Sequence, residues 1–178
     1  LWKEVLIEKF RGNSKLIKLR TDDSIYFNLR GKHILVDNKI RISKDLIKWD
    51  YLSDLPPFPK SKYGDKVVDH MTKEHSSDIS LDENENLFYT FYHLYTEDTK
   101  WLYVFFHDKL NSVWKTNRLY FENGLSTLRS INTTLIKNNF YIVLREYPTS
   151  TRIILLDKNE LIQGLDIEVI EKENDQGF

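Results

Sequence analysis

Three stretches of this chain read as the same unit: LIKLRTDDSIYFNLRG from Leu16, DISLDENENLFYTFYH from Asp78 and NTTLIKNNFYIVLRE from Asn132. Each is an apolar-rich run, a polar turn and a second apolar run, and repetition of this kind constrains the fold more than any single motif. The turns TDDS (21–24), DENEN (82–86) and KNN (137–139) are built from Asp and Asn, which tolerate left-handed backbone and hydrogen-bond their own main chain, so each unit predicts a β-hairpin. The second strands align as Ile25, Leu87 and Phe140, followed by Tyr26, Phe88 and Tyr141, with spacings of 62 and 53 residues.

A third apolar run follows each hairpin: HILVDNKIRI (33–42), KWLYVFFH (100–107) and TRIILLD (151–157). A fourth comes after it, opened by Trp49 in KWDYLSDL and by Trp114 in VWKTNRLYF, while LDIEVIEK (165–172) takes the same place without a Trp. Trp2 in LWKEVLIEKF stands to the first hairpin as Trp49 and Trp114 stand to theirs, which predicts that residues 1–10 hold the outer strand of a preceding unit. Four antiparallel strands recurring every ~50 to 60 residues predict an all-β chain, a β-propeller of four-stranded blades at 14–55, 76–122 and 130–172. A β-sandwich of meandering strands is the alternative. Three blades and one strand fall short of the ~4 blades that close a ring, so the expected chain is an excerpt of one propeller domain. Its remaining blades would come from the same parent polypeptide or from a partner chain, and a five-bladed parent would have roughly 290 residues.

Composition agrees with this reading. Ten Tyr, ten Phe and four Trp favour strands, and alanine, the best helix former, does not occur. Without Cys there are no disulfides and no thiolate chemistry, and the compartment stays open. A formal net charge of -1 argues against a nucleic-acid partner, and no apolar run approaches the ~18 residues of a membrane span. Gly-rich phosphate loops and the Gly-x-Ser-x-Gly elbow are missing, so no cofactor is expected. The NTT sequon at 132–134 falls in a predicted inner strand, a poor place for glycosylation.

RISKDLIKWDYL (41–52) can be read as the end of a third strand, a turn and a fourth strand. Its Ser-x-Asp-Leu-x-x-Trp pattern resembles a stretch of the five-bladed propeller glycosidases of glycoside hydrolase families 43 and 32. HDKLNSVWK (107–115) resembles a looser counterpart, and HSSDISLDENENLFYTFY (75–92) resembles the start of a later blade. The resemblance covers about 14–157 and implies a carbohydrate-active propeller that cleaves or binds a glycan at its axis. In RISKDLIKWDYL itself, Ser43 and Asp45 are expected to satisfy turn amides, and the Trp to pack between neighbouring blades.

In those families catalytic carboxylates stand where inner strands begin, one as base and one as acid. The strand starts here are Ser14 to Leu16, Ser77 to Asp78 and Ile131 to Asn132, and only Asp78 is a carboxylate. By position it matches a family Asp that tunes the acid or holds substrate. An antiparallel second strand ends where the first began. That brings Arg30, Tyr92 with His93, and Arg145 with Glu146 to the same face. Glu146 is then the second catalytic candidate, and Arg30, His75, Tyr92, His93 and Arg145 are candidates for binding substrate, with an Arg suited to an anionic sugar's carboxylate. The long connection 53–77 carries Asp69, His70 and His75 without the spacing of a recognised metal site, so no metal is assigned. The competing class is a non-catalytic propeller module that binds a glycan or a protein, which the incomplete set of strand-start carboxylates favours.

Overall fold

The computed structural model describes residues 17–20, 25–29, 31–59, 77–92, 100–125 and 128–169. They form an all-β protein with one short helix. It divides into two compact units. No helix among the described residues is long and apolar enough to cross a membrane.

The first unit holds one antiparallel meander of β1 (Ile17–Arg20), β2 (Ile25–Leu29), β3 (Lys32–Val36), β4 (Lys39–Ser43) and β5 (Asp50–Asp54), hydrogen-bonded in that order. The predicted hairpin is present, with Ile17 opposite Asn28 and Arg20 opposite Ile25. The run HILVDNKIRI, expected as one strand, is two. It folds back at Asp37, whose carboxylate accepts the Lys39 amide at 2.9 Å while its own amide donates to the Lys39 carbonyl at 3.0 Å. An Asp-Asn pair in mid-run supplies the turn chemistry for this reversal, so the sheet has five strands rather than four.

The stretch ISKDLIKWD opens β5 through a turn of the expected kind. The Ser43 hydroxyl accepts the Leu46 amide at 2.9 Å, and Asp45 accepts the Ile47 and Lys48 amides at 2.8 and 2.9 Å. Leu46 takes a left-handed φ of 64°, and Trp49 is half-buried just ahead of the strand. The looser counterpart follows the same rule, with Asp108 accepting the Leu110 amide at 3.0 Å. Its Trp114 is half-buried against His107 and Phe105, with ring centroids at 4.9 and 6.4 Å, both on the neighbouring strand of its own sheet.

In the second unit β6 (Ser77–Leu81), β7 (Leu87–Phe91), β8 (Trp101–Asp108) and β9 (Val113–Tyr120) form an antiparallel meander. A second sheet contains β10 (Leu128–Ile136), β11 (Asn139–Glu146) and β12 (Thr151–Asp157). The two sheets share one apolar core, in which Phe88, Val104, Phe106 and Leu119 of the first meet Ile131, Phe140, Ile142, Leu144 and Ile154 of the second. Phe88 and Phe140 lie with ring centroids 5.3 Å apart. Alternate residues of a strand face opposite ways. Because the repeat equates Phe88 with Tyr141, non-equivalent faces meet at this contact, and the equivalents of the Phe88 face lie on the far side of the second sheet.

The fourth run of the third repeat departs from expectation. Helix α1 (Lys158–Leu161) follows β12 directly, capped by Asp157, and β13 (Asp166–Glu168) then pairs parallel with β9 instead of joining β12. Asn117 on β9 explains the capture: fully buried, it donates to the Val104 and Leu161 carbonyls at 3.0 and 2.8 Å and accepts the Leu165 amide at 2.8 Å. Gly164 has a φ of +79°, and a Cβ there would stand 3.3 Å from the Lys115 Cβ, so the chain turns hard against β9 where a side chain does not fit. Arg118 fixes β13 from outside through both oxygens of Asp166.

Candidate functional site

Asp78 sits at the head of β6 as expected and is buried. Its Oδ2 accepts the Thr133 amide at 2.5 Å and the Thr133 hydroxyl at 3.1 Å. Ser80, two residues on and on the same face, shares a hydrogen bond of 2.9 Å with the same hydroxyl. The Thr133 amide lies on the opposite sheet, so this carboxylate ties β6 to β10 where the two sheets share no ladder. A charged acceptor for a buried amide is a strong bond, and its position owes as much to a partner 55 residues away as to its own strand.

Glu146, at the end of β11, is equally enclosed, at 4% exposure. Arg152 of β12 holds it bidentately, Nε donating to Oε2 at 2.5 Å and Nη2 to Oε1 at 2.9 Å. The guanidinium carbon also lies 5.8 Å from the centre of the Phe121 ring. Both carboxylate oxygens therefore serve the junction between adjacent strands.

The structure does not bring Asp78 and Glu146 together. Asp78 is bound at the level of Thr133, whereas Glu146 stands opposite Leu128, five residues along β10. The bulge at Arg129 takes up one of those steps, so on β11 Glu146 stands four residues from Ile142, the partner of Thr133, and at ~3.3 Å per residue the levels differ by about 13 Å. A glycosidase pair stands ~5 to 9.5 Å apart. Tyr92 is 2% exposed and belongs to the apolar core of the second unit. Arg145 points away from that core and is exposed. Arg30, His75 and His93, together with Asp69, His70 and the turn TDDS, lie outside the described residues. Among the described residues no group of three or more His, Asp or Glu is placed to hold a metal.

Two residues that sequence reasoning did not single out stand beside Glu146. Tyr147 is 58% exposed, and the Arg129 guanidinium lies 4.4 Å from its ring centre. Arg129 occupies the irregular step between Leu128 and Ser130, whose partners are Glu146 and Arg145. This corner of the sheet thus presents two guanidinium groups and an exposed ring. The signal was visible as Arg-Glu-Tyr at 145–147, but nothing local indicates that Arg129 arrives opposite it.

Each unit also holds an enclosed imidazole, half-buried His33 in the first and buried His107 in the second. His33 Nδ1 is 2.6 Å from the Tyr26 hydroxyl, and burial pushes that hydroxyl up to about 12. Burial lowers the His33 pKa, against a smaller opposing pull from Asp45, and burial likewise lowers His107, against Asp108. A base whose pKa is lower folded than unfolded takes its proton preferentially in the unfolded chain. Its contribution is thus intact above the ordinary value of ~6.5 and is lost as pH falls from there to the folded value. The expected result is a thermal midpoint that declines as pH falls below about 7. Melting curves across that range test it, and His107→Phe should flatten the decline, whereas a flat profile in the unaltered protein would refute it.

The fold and this corner define an all-β protein built of antiparallel meanders with a cationic, aromatic edge. No family model matches the chain, and no curated protein matches it.

Proposed function

We propose that this chain is part of a β-propeller and acts as a non-catalytic module that binds an acidic glycan at the Arg129, Arg145 and Tyr147 corner. The observation that carries the reading is the engagement of both candidate carboxylates in joints of the fold, Asp78 with Thr133 and Glu146 with Arg152. An acid and a base for glycosidic cleavage need a shared substrate between them. Guanidinium groups suit a sugar carboxylate, and an exposed phenol ring suits the apolar face of a pyranose.

The propeller reading is supported by the way the sheets of the second unit meet. Repeats stacked head to tail around an axis bring non-equivalent faces together, as Phe88 and Phe140 do. The stretches whose sequence pattern resembles the five-bladed glycosidases do form turns ahead of β5 and β9, at Ser43–Lys48 and at Asp108.

Titration with an oligogalacturonate, beside a neutral oligosaccharide of equal length, tests the function. Binding should favour the acidic ligand, and Arg129→Ala and Tyr147→Ala should each weaken it about tenfold. Asp78→Asn should leave affinity within about twofold, with no sugar released. Hydrolysis that Asp78→Asn abolishes would establish the enzyme reading instead, and equal affinity for the neutral ligand would remove the role of the arginines.

A further inference from the structure

Strand β13 occupies the edge of a meander to which it does not belong. It runs parallel to β9, in a sheet whose other four strands are antiparallel. Its main chain is bonded from the Arg118 amide to the Leu165 carbonyl and from the Val169 amide to the Tyr120 carbonyl, each at 3.0 Å. Ile167 and Val169 are half-buried against the apolar core, while Asp166 and Glu168 alternate with them and are exposed. Arg118 donates from Nε and Nη2 to the two oxygens of Asp166, and its guanidinium carbon lies 4.9 Å from the centre of the Trp101 ring.

The segment is held unevenly. Residues 161–165 are anchored by the buried Asn117 side chain, and Lys115 Nζ donates to the Ile162 carbonyl at 2.7 Å. From Asp166 onward the strand has β9 alone as ladder partner, and the ion pair joins side chains that are 46% and 53% exposed, a kind that contributes little. By contrast β9 pairs with β8 over eight residues. A short strand with solvent-facing bonds belongs to the low-stability end of a structure and opens ahead of the rest.

We infer that the outer edge of β9 is a peptide-docking edge, occupied in this chain by β13 and open to an extended partner segment in which carboxylates alternate with branched apolar residues. Lifting residues 166–169 leaves unpaired main-chain groups on β9, the template on which strand addition works. Main-chain bonds supply affinity in that mode, and alternate side chains supply specificity. Arg118 selects a carboxylate, and the margin of the core takes apolar residues one and three positions later. The Asn117 anchor keeps the displaced strand tethered, so β13 competes with a partner at an effective concentration of millimolar order. The edge shares no residue with the Arg129 corner, and the inference does not rest on the glycan reading.

Amide NMR with a blocked peptide Leu-Asp-Ile-Glu-Val tests this on the unaltered protein and on Asp166→Lys, which sets an ammonium against the Arg118 guanidinium and loosens the resident strand. The expected result is a set of shift changes centred on β9 and β13, with affinity about tenfold higher for Asp166→Lys. A peptide carrying Lys in place of its Asp should bind that variant at least about tenfold more weakly, and adding Arg118→Glu should reverse the preference. Without peptide, the Val169 amide should exchange with solvent well ahead of the amides paired between β8 and β9. No binding to either protein, equal binding of the two peptides, or Val169 exchange as slow as that between β8 and β9 would each overturn the inference. If the Arg118→Glu protein loses its fold, the two peptides compared on Asp166→Lys decide the matter.

Discussion

Replacing Phe140 by Ala should destabilise the second unit by about 3 to 5 kcal/mol. The ring is fully buried and meets Phe88 across the space between the two sheets. Neighbours on both sides are backbone-constrained strands, which collapse poorly into a cavity, so the loss should sit toward the upper end of the range. Urea unfolding followed by tryptophan fluorescence measures it. Leu155→Ala, on the open face of the same sheet, should change stability by no more than about 0.5 kcal/mol. Similar losses at the two positions would mean that the assignment of inner and outer faces is wrong.

Glu146→Ala should cost about 2 to 3 kcal/mol. It removes the acceptor for two guanidinium hydrogen bonds and leaves Arg152 beside Phe121 without its counter-charge. The value is set below that of a fully enclosed pair because the Arg152 side chain is 29% exposed and water can replace part of the loss. Glu146→Gln, which keeps an acceptor and the shape, should lose about half as much. The comparison bears on function as well. A carboxylate whose work is structural shows its loss in unfolding and leaves ligand affinity at the neighbouring Arg129 corner largely intact. A variant with normal stability and altered chemistry on a glycan would reassign Glu146 to the reaction.

Much of the fold was legible from local chemistry. The DENEN turn forms with Asp82 accepting the Asn84 and Asn86 amides at 2.9 Å, as its Asp and Asn residues imply, but the left-handed position is taken by Glu85 and not by an Asp or Asn. The KNN turn closes between Ile136 and Asn139 with Lys137 at a φ of 56°. The turn at Ser43 and Asp45 forms as their hydroxyl and carboxylate imply, ahead of β5. The Asp37 reversal was missed although its residues were in view, because a ten-residue apolar run outweighed an Asp-Asn pair at its centre.

The candidate site was legible only as positions along strands. Asp78 and Glu146 do occupy a strand start and a strand end. What each carboxylate touches depends on residues the spacing does not reveal, Thr133 for one and Arg152 for the other. Tyr92 illustrates the same gap, since the end of a second strand can face a pocket or a core, and neighbouring strands decide between them.

The sequence by itself determined the all-β class, the hairpins and the turns, because alternation and turn chemistry act over a few residues and need no distant partner. Tertiary structure alone decided where residues 166–168 pair. A three-residue strand fits any open edge, and it went to β9 because the Asn117 side chain offered buried partners there and Gly164 allowed the approach. It also decided the state of the two carboxylates, since the burial and partners of a charge belong to the whole surroundings and not to its own strand.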